Sequence, residues 1–178
     1  VGSDTRRNGK GKASATVPDP LAVPTDLKAN DVRQIVEAVN GLIADAFALY
    51  VKTKNFHWHV TGPDFRDYHL LFDEQAAAVL DGIDILAERV RKIGAPTVRS
   101  IGHISRLQSI ADDDEAFVPA REMIRRLLED NRQIAAKQRA AIEICDERDD
   151  TPTGNVLQEI LDQTERRIWF LHALEQTE

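Results

Sequence analysis

The chain of 178 residues is long enough for one domain with a sizeable core, and its 42% hydrophobic content is mostly Leu, Ile, Val and Ala, with only 6% aromatic residues. A single cysteine, Cys145, excludes an internal disulfide and fits a reducing, cytoplasmic compartment; no uninterrupted apolar run approaches about 18 residues, so no membrane span is expected. The net charge of −7 argues against a surface built to coat nucleic acid. The charge is unevenly spread, however. Arg6, Arg7, Lys10 and Lys12 face only Asp4 in residues 1–16, so that tail carries +3 and the remainder −10.

Residues 1–27 read as a flexible basic N-terminal arm. They are rich in Gly, Ser, Thr and Lys, carry Pro18, Pro20 and Pro24, and show no periodic apolar face. The chain opens on Val1-Gly2-Ser3, and no signal-peptide pattern follows. A bundle domain is expected over residues 28–178. Val32, Ile35, Val36, Val39, Leu42, Ile43, Ala46, Phe47 and Tyr50 recur at three and four, which predicts a first helix from an Asn30 cap to about His57. Thr61-Gly62-Pro63-Asp64 breaks the pattern. Asp64 then caps a second helix reaching Ile93, with Gly94 as its stop and Pro96 beyond.

Residues 95–118 form a long connection with a short helical candidate, His103 to Ile110, and the acidic run Asp112 to Glu115. Pro119 suits the first turn of a third helix ending near Asp146. Pro152 opens a fourth that ends near Glu175, whose apolar face is expected to include Ile168, Trp169 and Leu171. The expected fold is therefore all-α: a ferritin-like four-helix bundle with a short extra helix in the connection between the second and third helices. The long crossover lets those two helices run parallel.

Ferritin-type carboxylate bundles usually carry Glu-x-x-His pairs aimed into the core, and this chain has none. Its ligand types gather instead on the second helix. At 100° per residue, with His69 at zero, Asp73 falls at roughly 40°, Asp84 at roughly 60° and Glu88 at roughly 100°. All four share a face, yet the His69/Asp73 pair lies about 22 Å along the axis from Asp84/Glu88. One chain cannot close both pairs on one ion.

An antiparallel two-fold pairing of this helix with its copy resolves the distance, with Ala76, Ala77 and Leu80 between the pairs as the contact face. Two equivalent sites follow. Each takes His69 and Asp73 from one chain, Asp84 and Glu88 from the other, and His57 before the turn to complete the first contribution. Mixed imidazole and carboxylate ligands without thiolate suit iron, with zinc or manganese as surrogates.

The run His57-Trp58-His59-Val60-Thr61-Gly62, then His69, Asp73, Asp84 and Ala87-Glu88-Arg89, resembles the Dps family (DNA-binding proteins from starved cells) over roughly residues 28–176. Tyr68 departs from it, where a small aliphatic residue is common, and is expected to affect packing. The resemblance implies a hollow dodecamer with ferroxidase sites at two-fold interfaces: His57, His69 and Asp73 from one subunit, Asp84 and Glu88 from its partner. It implies Fe(II) oxidation, preferentially by hydrogen peroxide, storage of ferric mineral, and protection against oxidative damage. Trp58 would sit beside the site, as a packing residue or a radical quencher.

The remaining clusters have two readings each. Asp146, Glu147, Asp149 and Asp150 are a solvated turn or, in a symmetric assembly, an acidic iron-entry pore. The arm residues Arg6, Arg7, Lys10 and Lys12 are a solvated tail or, multiplied over many copies, a weak and strongly salt-dependent DNA contact. The alternative to a ferroxidase is thus a nucleoid DNA-condensing protein with secondary metal binding. His59, His103 and His172 are not expected to be ligands. Lys137, Arg139, Arg125, Arg126 and Arg132 are expected to form a charged outer face of the third helix.

Overall fold

The computed structural model describes residues 19–176. A short 3-10 turn at Asp19–Leu21 precedes α1 (Ala29–His59), α2 (Phe65–Lys92), the short α3 (Ile101–Leu107), α4 (Ala120–Asp146) and α5 (Thr151–Glu175). No strand occurs among the described residues. Cross-helix pairs fix the topology. Lys54 reaches Asp73 and His57 reaches His69 between α1 and α2, Lys52 and Asp45 reach Asp130 and Lys137 between α1 and α4, and Glu74 reaches Arg166 and Arg89 reaches Thr153 between α2 and α5. In each case residue numbers rise on one helix as they fall on the other. Both α2 and α4 are therefore antiparallel to α1 and parallel to each other, as the long crossover predicts.

The apolar stripes close two layers of core. Phe56, Phe72, Met123, Leu127 and Leu171 fill the layer nearest the α1–α2 turn. Ile35, Ile43, Ile83, Val90 and Leu157 fill the other end. Burying each such side chain contributes about 1.5–3 kcal/mol. Tyr68 packs on the first layer, its ring 6.3 Å from that of Phe72, so the family departure is accommodated by packing. Trp169 is 67% exposed, which corrects its assignment to the apolar face of α5. Ile168 and Leu171 turn inward on either side of it.

α1 is long and apolar enough by composition to cross a membrane. Glu37, Asp45 and Lys52 interrupt the stretch, so it contains no unbroken apolar run. It is nonetheless a core helix: Asp45 and Lys52 are buried on it, each paired with a residue of α4.

The helix ends differ in detail from the sequence reading. Lys28, not Asn30, is the cap of α1; Asn30 lies within the first turn, where its Oδ1 accepts from Arg33. α3 starts earlier than expected because Ser100 caps it, accepting from the His103 N–H. Gly94 does stop α2. It has φ +83°, its N–H donates to Arg91 O and that of Ala95 to Val90 O, the paired bonds of a Schellman turn. A Cβ at Gly94 would also lie 2.9 Å from Val23 O, because residues 19–27 run back across this end of the bundle. Arg91 Nη2 secures them by donating to Leu21 O at 3.0 Å.

The crossover is held by polar contacts. Asp45, fully buried on α1, accepts from the Ser109 and Ile110 N–H groups, from Ser109 Oγ, and from Lys137 Nζ at 2.6 Å. Asp113 pairs with Arg126 at 2.8 Å. Lys137 and Arg126 are thus internal fasteners rather than members of an outer charged face. Arg125 and Arg139 remain on the surface, on Glu122 and Glu165.

Candidate metal centre

α1 and α2 are joined by a tight turn over residues 60–64, in which Gly62 takes φ +118°. The turn places His57, in the last turn of α1, against His69, in the second turn of α2. Their rings stack at 3.8 Å between centroids with 22° between planes. Each ring is held by the other residue's backbone: His57 Nδ1 is 2.7 Å from His69 O, and His69 Nδ1 is 2.8 Å from His57 O. A carbonyl only accepts, so both Nδ1 atoms carry the hydrogen, and each neutral ring keeps its lone pair on Nε2. Carbonyl partners of this kind fix the tautomer of metal-binding imidazoles.

Asp73 lies one turn beyond His69. Its Oδ1 is 3.9 Å from His57 Nε2, too far for a hydrogen bond and within the span of two metal–ligand bonds of about 2 Å each. Lys54 Nζ sits 2.7 Å from the same oxygen. The hydrogen bond from Lys54 foremost, and then its charge, hold the Asp73 carboxyl below the usual range. The same ammonium lies 5.7 Å from the ring centroid of Trp58. Trp58 is 63% exposed, so within one chain it is not a core-packing residue.

The other half of the predicted set lies apart. Asp84 and Glu88 are exposed on α2. Glu88 accepts from Lys92 at 3.1 Å, and Asp84 has no ion-pair or hydrogen-bond partner among the described residues. No three His, Cys, Asp or Glu side chains among the described residues are gathered closely enough to hold a metal. The structure therefore brings His57, His69 and Asp73 into one neighbourhood and leaves Asp84 and Glu88 on the same helix face beyond their reach.

One detail of that face is corrected. Ala76 is buried at 1% exposure, whereas Ala77, Leu80 and Asp81 are exposed. On the helical wheel Ala76 falls at roughly −20° from His69, on the edge of the buried stripe that runs through Ile83 and Phe72. The exposed face starts at His69 and turns the other way, and it adds Asp81 to the carboxylates.

Of the proposed pore residues, Asp146, Glu147 and Asp149 are exposed at the α4–α5 turn, with Glu147 on Arg148 at 2.9 Å. Asp150 is not available. It is buried at 2% exposure, caps α5 by accepting from the Thr153 N–H, and pairs with Arg89 at 3.0 Å. The sharp turn at Asp149, with φ +58°, swings the Asp150 side chain inward. Arg6, Arg7, Lys10 and Lys12 lie outside the described residues. His59 is exposed, bonded to Asn55 O at 2.8 Å, and His172 is exposed near Gln176. The buried Nδ1 of His103 has no hydrogen-bond partner among the described residues.

Lys54 is the site residue that sequence reasoning missed. The signal was its position three residues before His57 and four before Trp58, which puts all three on one strip of α1.

Residues 36–178 match the ferritin-like domain family. The DNA protection during starvation protein of Brevibacillus brevis is 32% identical over 143 residues, covering 80% of this chain and 95% of that one. DNA protection during starvation protein 2 of Bacillus anthracis is 30% identical over 142 residues, covering 79% and 96%. The crystal structure of a Dps protein from Bacillus brevis superposes with a TM-score of 0.81 at 30% identity, covering 84% of this chain and all of that one. A ferritin-like bundle whose core lacks Glu-x-x-His pairs, with its imidazoles at the α1–α2 turn instead, thus has its relatives in one branch of that fold, and the chain belongs to the Dps family of ferritin-like proteins.

Proposed function

We propose that this chain is the subunit of a hollow dodecamer that binds Fe(II), oxidises it with hydrogen peroxide and stores the ferric product. The observation that carries the reading is the split ligand set. Two imidazoles with free Nε2 lone pairs stand beside Asp73, while Asp84 and Glu88 wait on the same face of α2. An antiparallel two-fold pairing of α2 unites the halves twice per dimer.

The residues divide the work. His57 and His69 offer neutral nitrogen to Fe(II) in the tautomer their backbone partners impose. Asp73, Asp84 and Glu88 supply negative charge, which favours the ferric product over the ferrous substrate. Two Fe(II) ions give one electron each to a peroxide, which with two protons leaves as two waters. Both reagents of hydroxyl-radical chemistry are consumed together, the basis for a protective role in the cytoplasm. Zinc or manganese would occupy the same ligands as surrogates.

A second property rests on Arg6, Arg7, Lys10 and Lys12. Multiplied over the assembly, the four tail cations give a DNA contact that is weak per copy and strongly salt-dependent, within reach of the nucleoid. Asp146, Glu147 and Asp149 remain the candidates for an iron-entry pore.

The test is a His57→Ala/His69→Ala variant mixed with Fe(II) and peroxide. The ferric absorbance rise should slow by about 100-fold or more, since losing two direct ligands exceeds the 10–100-fold effect of losing their supporting partners. The variant should keep the solution mass of twelve chains. An unchanged rate would remove these histidines from the chemistry.

A further inference from the structure

Arg167, on α5, is 7% exposed and has no acidic partner among the described residues. Its Nε donates to Asn131 Oδ1 and its Nη2 to Thr164 Oγ1, both at 2.8 Å and both neutral. Burial without a counter-charge pushes its pKa down to about 10. Buried guanidinium groups are ordinarily paired with carboxylate or phosphate, because an isolated buried charge is costly.

A cavity of about 300 Å³ opens beside it where α1, α2, α4 and α5 meet. Most of its wall is apolar, including Leu42, Leu49, Val79, Ile85, Leu86 and Ile134. Gln138 also lines it, 3% exposed, and its Oε1 has no hydrogen-bond partner among the described residues. A smaller cavity shares Ala78, Gln163 and Arg167 with it, and is lined by Gln75, whose buried Nε2 is likewise unpartnered. Arg167, a cation without a counter-charge among the described residues, thus stands where the two meet, with one unmatched amide atom lining each cavity and a largely apolar chamber of ligand size beside it.

We propose that this chamber binds a small amphiphilic monocarboxylate, its headgroup on Arg167 and its hydrocarbon body along the apolar wall. An inorganic anion would satisfy the guanidinium and leave the apolar wall against a hydrated ion. A neutral apolar molecule would fill the wall and leave the charge uncompensated. Only a molecule with both parts meets both surfaces. Asp81 and Glu159 also line the chamber, but both are exposed to solvent, where water screens their repulsion.

The site is separate from the iron chemistry. On the α2 wheel Ala78, Gly82 and Ile85 lie at roughly 160–220° from His69, past the Asp73–Glu88 face. The two surfaces share only Asp81, at roughly 120° on their border, and binding is read by heat rather than by iron oxidation, so the test does not depend on the ferroxidase reading.

Calorimetric titration of the full-length assembled protein with octanoate tests the proposal, with octan-1-ol and inorganic phosphate as separate arms. Octanoate should bind saturably at one per chain, and octanol and phosphate each about 10- to 100-fold more weakly. Arg167→Gln should weaken octanoate by a similar factor while leaving octanol unchanged. Ala78→Phe, which keeps the guanidinium and fills the space, should abolish octanoate binding and decides the matter if Arg167→Gln does not fold. Equal binding of octanoate and octanol, phosphate binding as tight as octanoate, or octanoate binding untouched by Ala78→Phe would each overturn it.

Discussion

Asp45 and Asp84 are carboxylates on neighbouring long helices of the same bundle, and their surroundings are opposite. Asp45 is fully buried, with two backbone N–H groups, a hydroxyl and an ammonium on its oxygens. Asp84 is exposed and makes no such contact among the described residues. Four residues on, Glu88 has only a surface pair to Lys92, worth little in water. The chain thus saturates the charges that hold its crossover and leaves open those on the outer face of α2. A fully satisfied carboxylate has no lone pair to offer an incoming cation, so the unsatisfied one is where metal chemistry is to be sought.

The contrast is broken most decisively by complementation. Asp84→Asn/Glu88→Gln should slow peroxide-driven iron oxidation by about 100-fold or more, with little change in thermal midpoint. Co-assembly of that variant with His57→Ala/His69→Ala should restore activity, because each mixed dimer rebuilds one intact site from the sound half of each chain. If the ligands of one site all came from one chain, no mixture would recover. The converse change, Asp45→Ala, should cost about 2–4 kcal/mol of stability by stranding Lys137 and the Ser109 and Ile110 N–H groups. The folded fraction should bind metal normally, so unfolding midpoint and metal titration together separate the two carboxylate classes.

The same contrast explains what could be read from the chain. The helices were legible because apolar residues at three and four leave a stripe that only a helix can bury, and α2 bears this out from Phe72 to Val90. His69, Asp73, Asp84 and Glu88 were legible as one face because rotation per residue is a property of the backbone alone. What depends on a second helix was not legible. Asp45 interrupts an apolar run and reads as a surface position until α4 and the crossover arrive with their donors. Arg167 reads as a solvated α5 residue until Asn131 takes its Nε–H. Ala76 sits on the boundary between two faces, and only the packing of α2 on its own bundle decides which side it joins.

Lys54 sharpens the comparison within the site itself, since it gives Asp73 the partner that Asp84 lacks. In the proposed site the ammonium holds the position beside Asp73 that a bound cation would take, and metal would have to displace it. Lys54→Met should therefore tighten Mn(II) binding by roughly 2- to 5-fold, the scale of a solvent-exposed ion pair. Weaker binding in the variant would make Lys54 a residue that aims the carboxylate rather than one that competes for it.

Cys145 extends the contrast to a group that is neither satisfied by donors nor open to solvent. It is buried at the end of α4. Burial first, and then the charges of Asp150 and Asp146, push its pKa up to about 12. A raised folded-state pKa means that the fold favours the neutral thiol. That contribution is fully present below the ordinary thiol value near pH 9 and is lost as the pH climbs from there toward 12. Native protein at pH 8 should therefore label with a thiol-reactive disulfide reagent about 10-fold or more slowly than unfolded protein. The loss of unfolding free energy between pH 9 and 11 should be shallower in Cys145→Ala than in the parent. Equal labelling rates before and after unfolding would mean that the α4–α5 turn opens readily enough to expose the thiol.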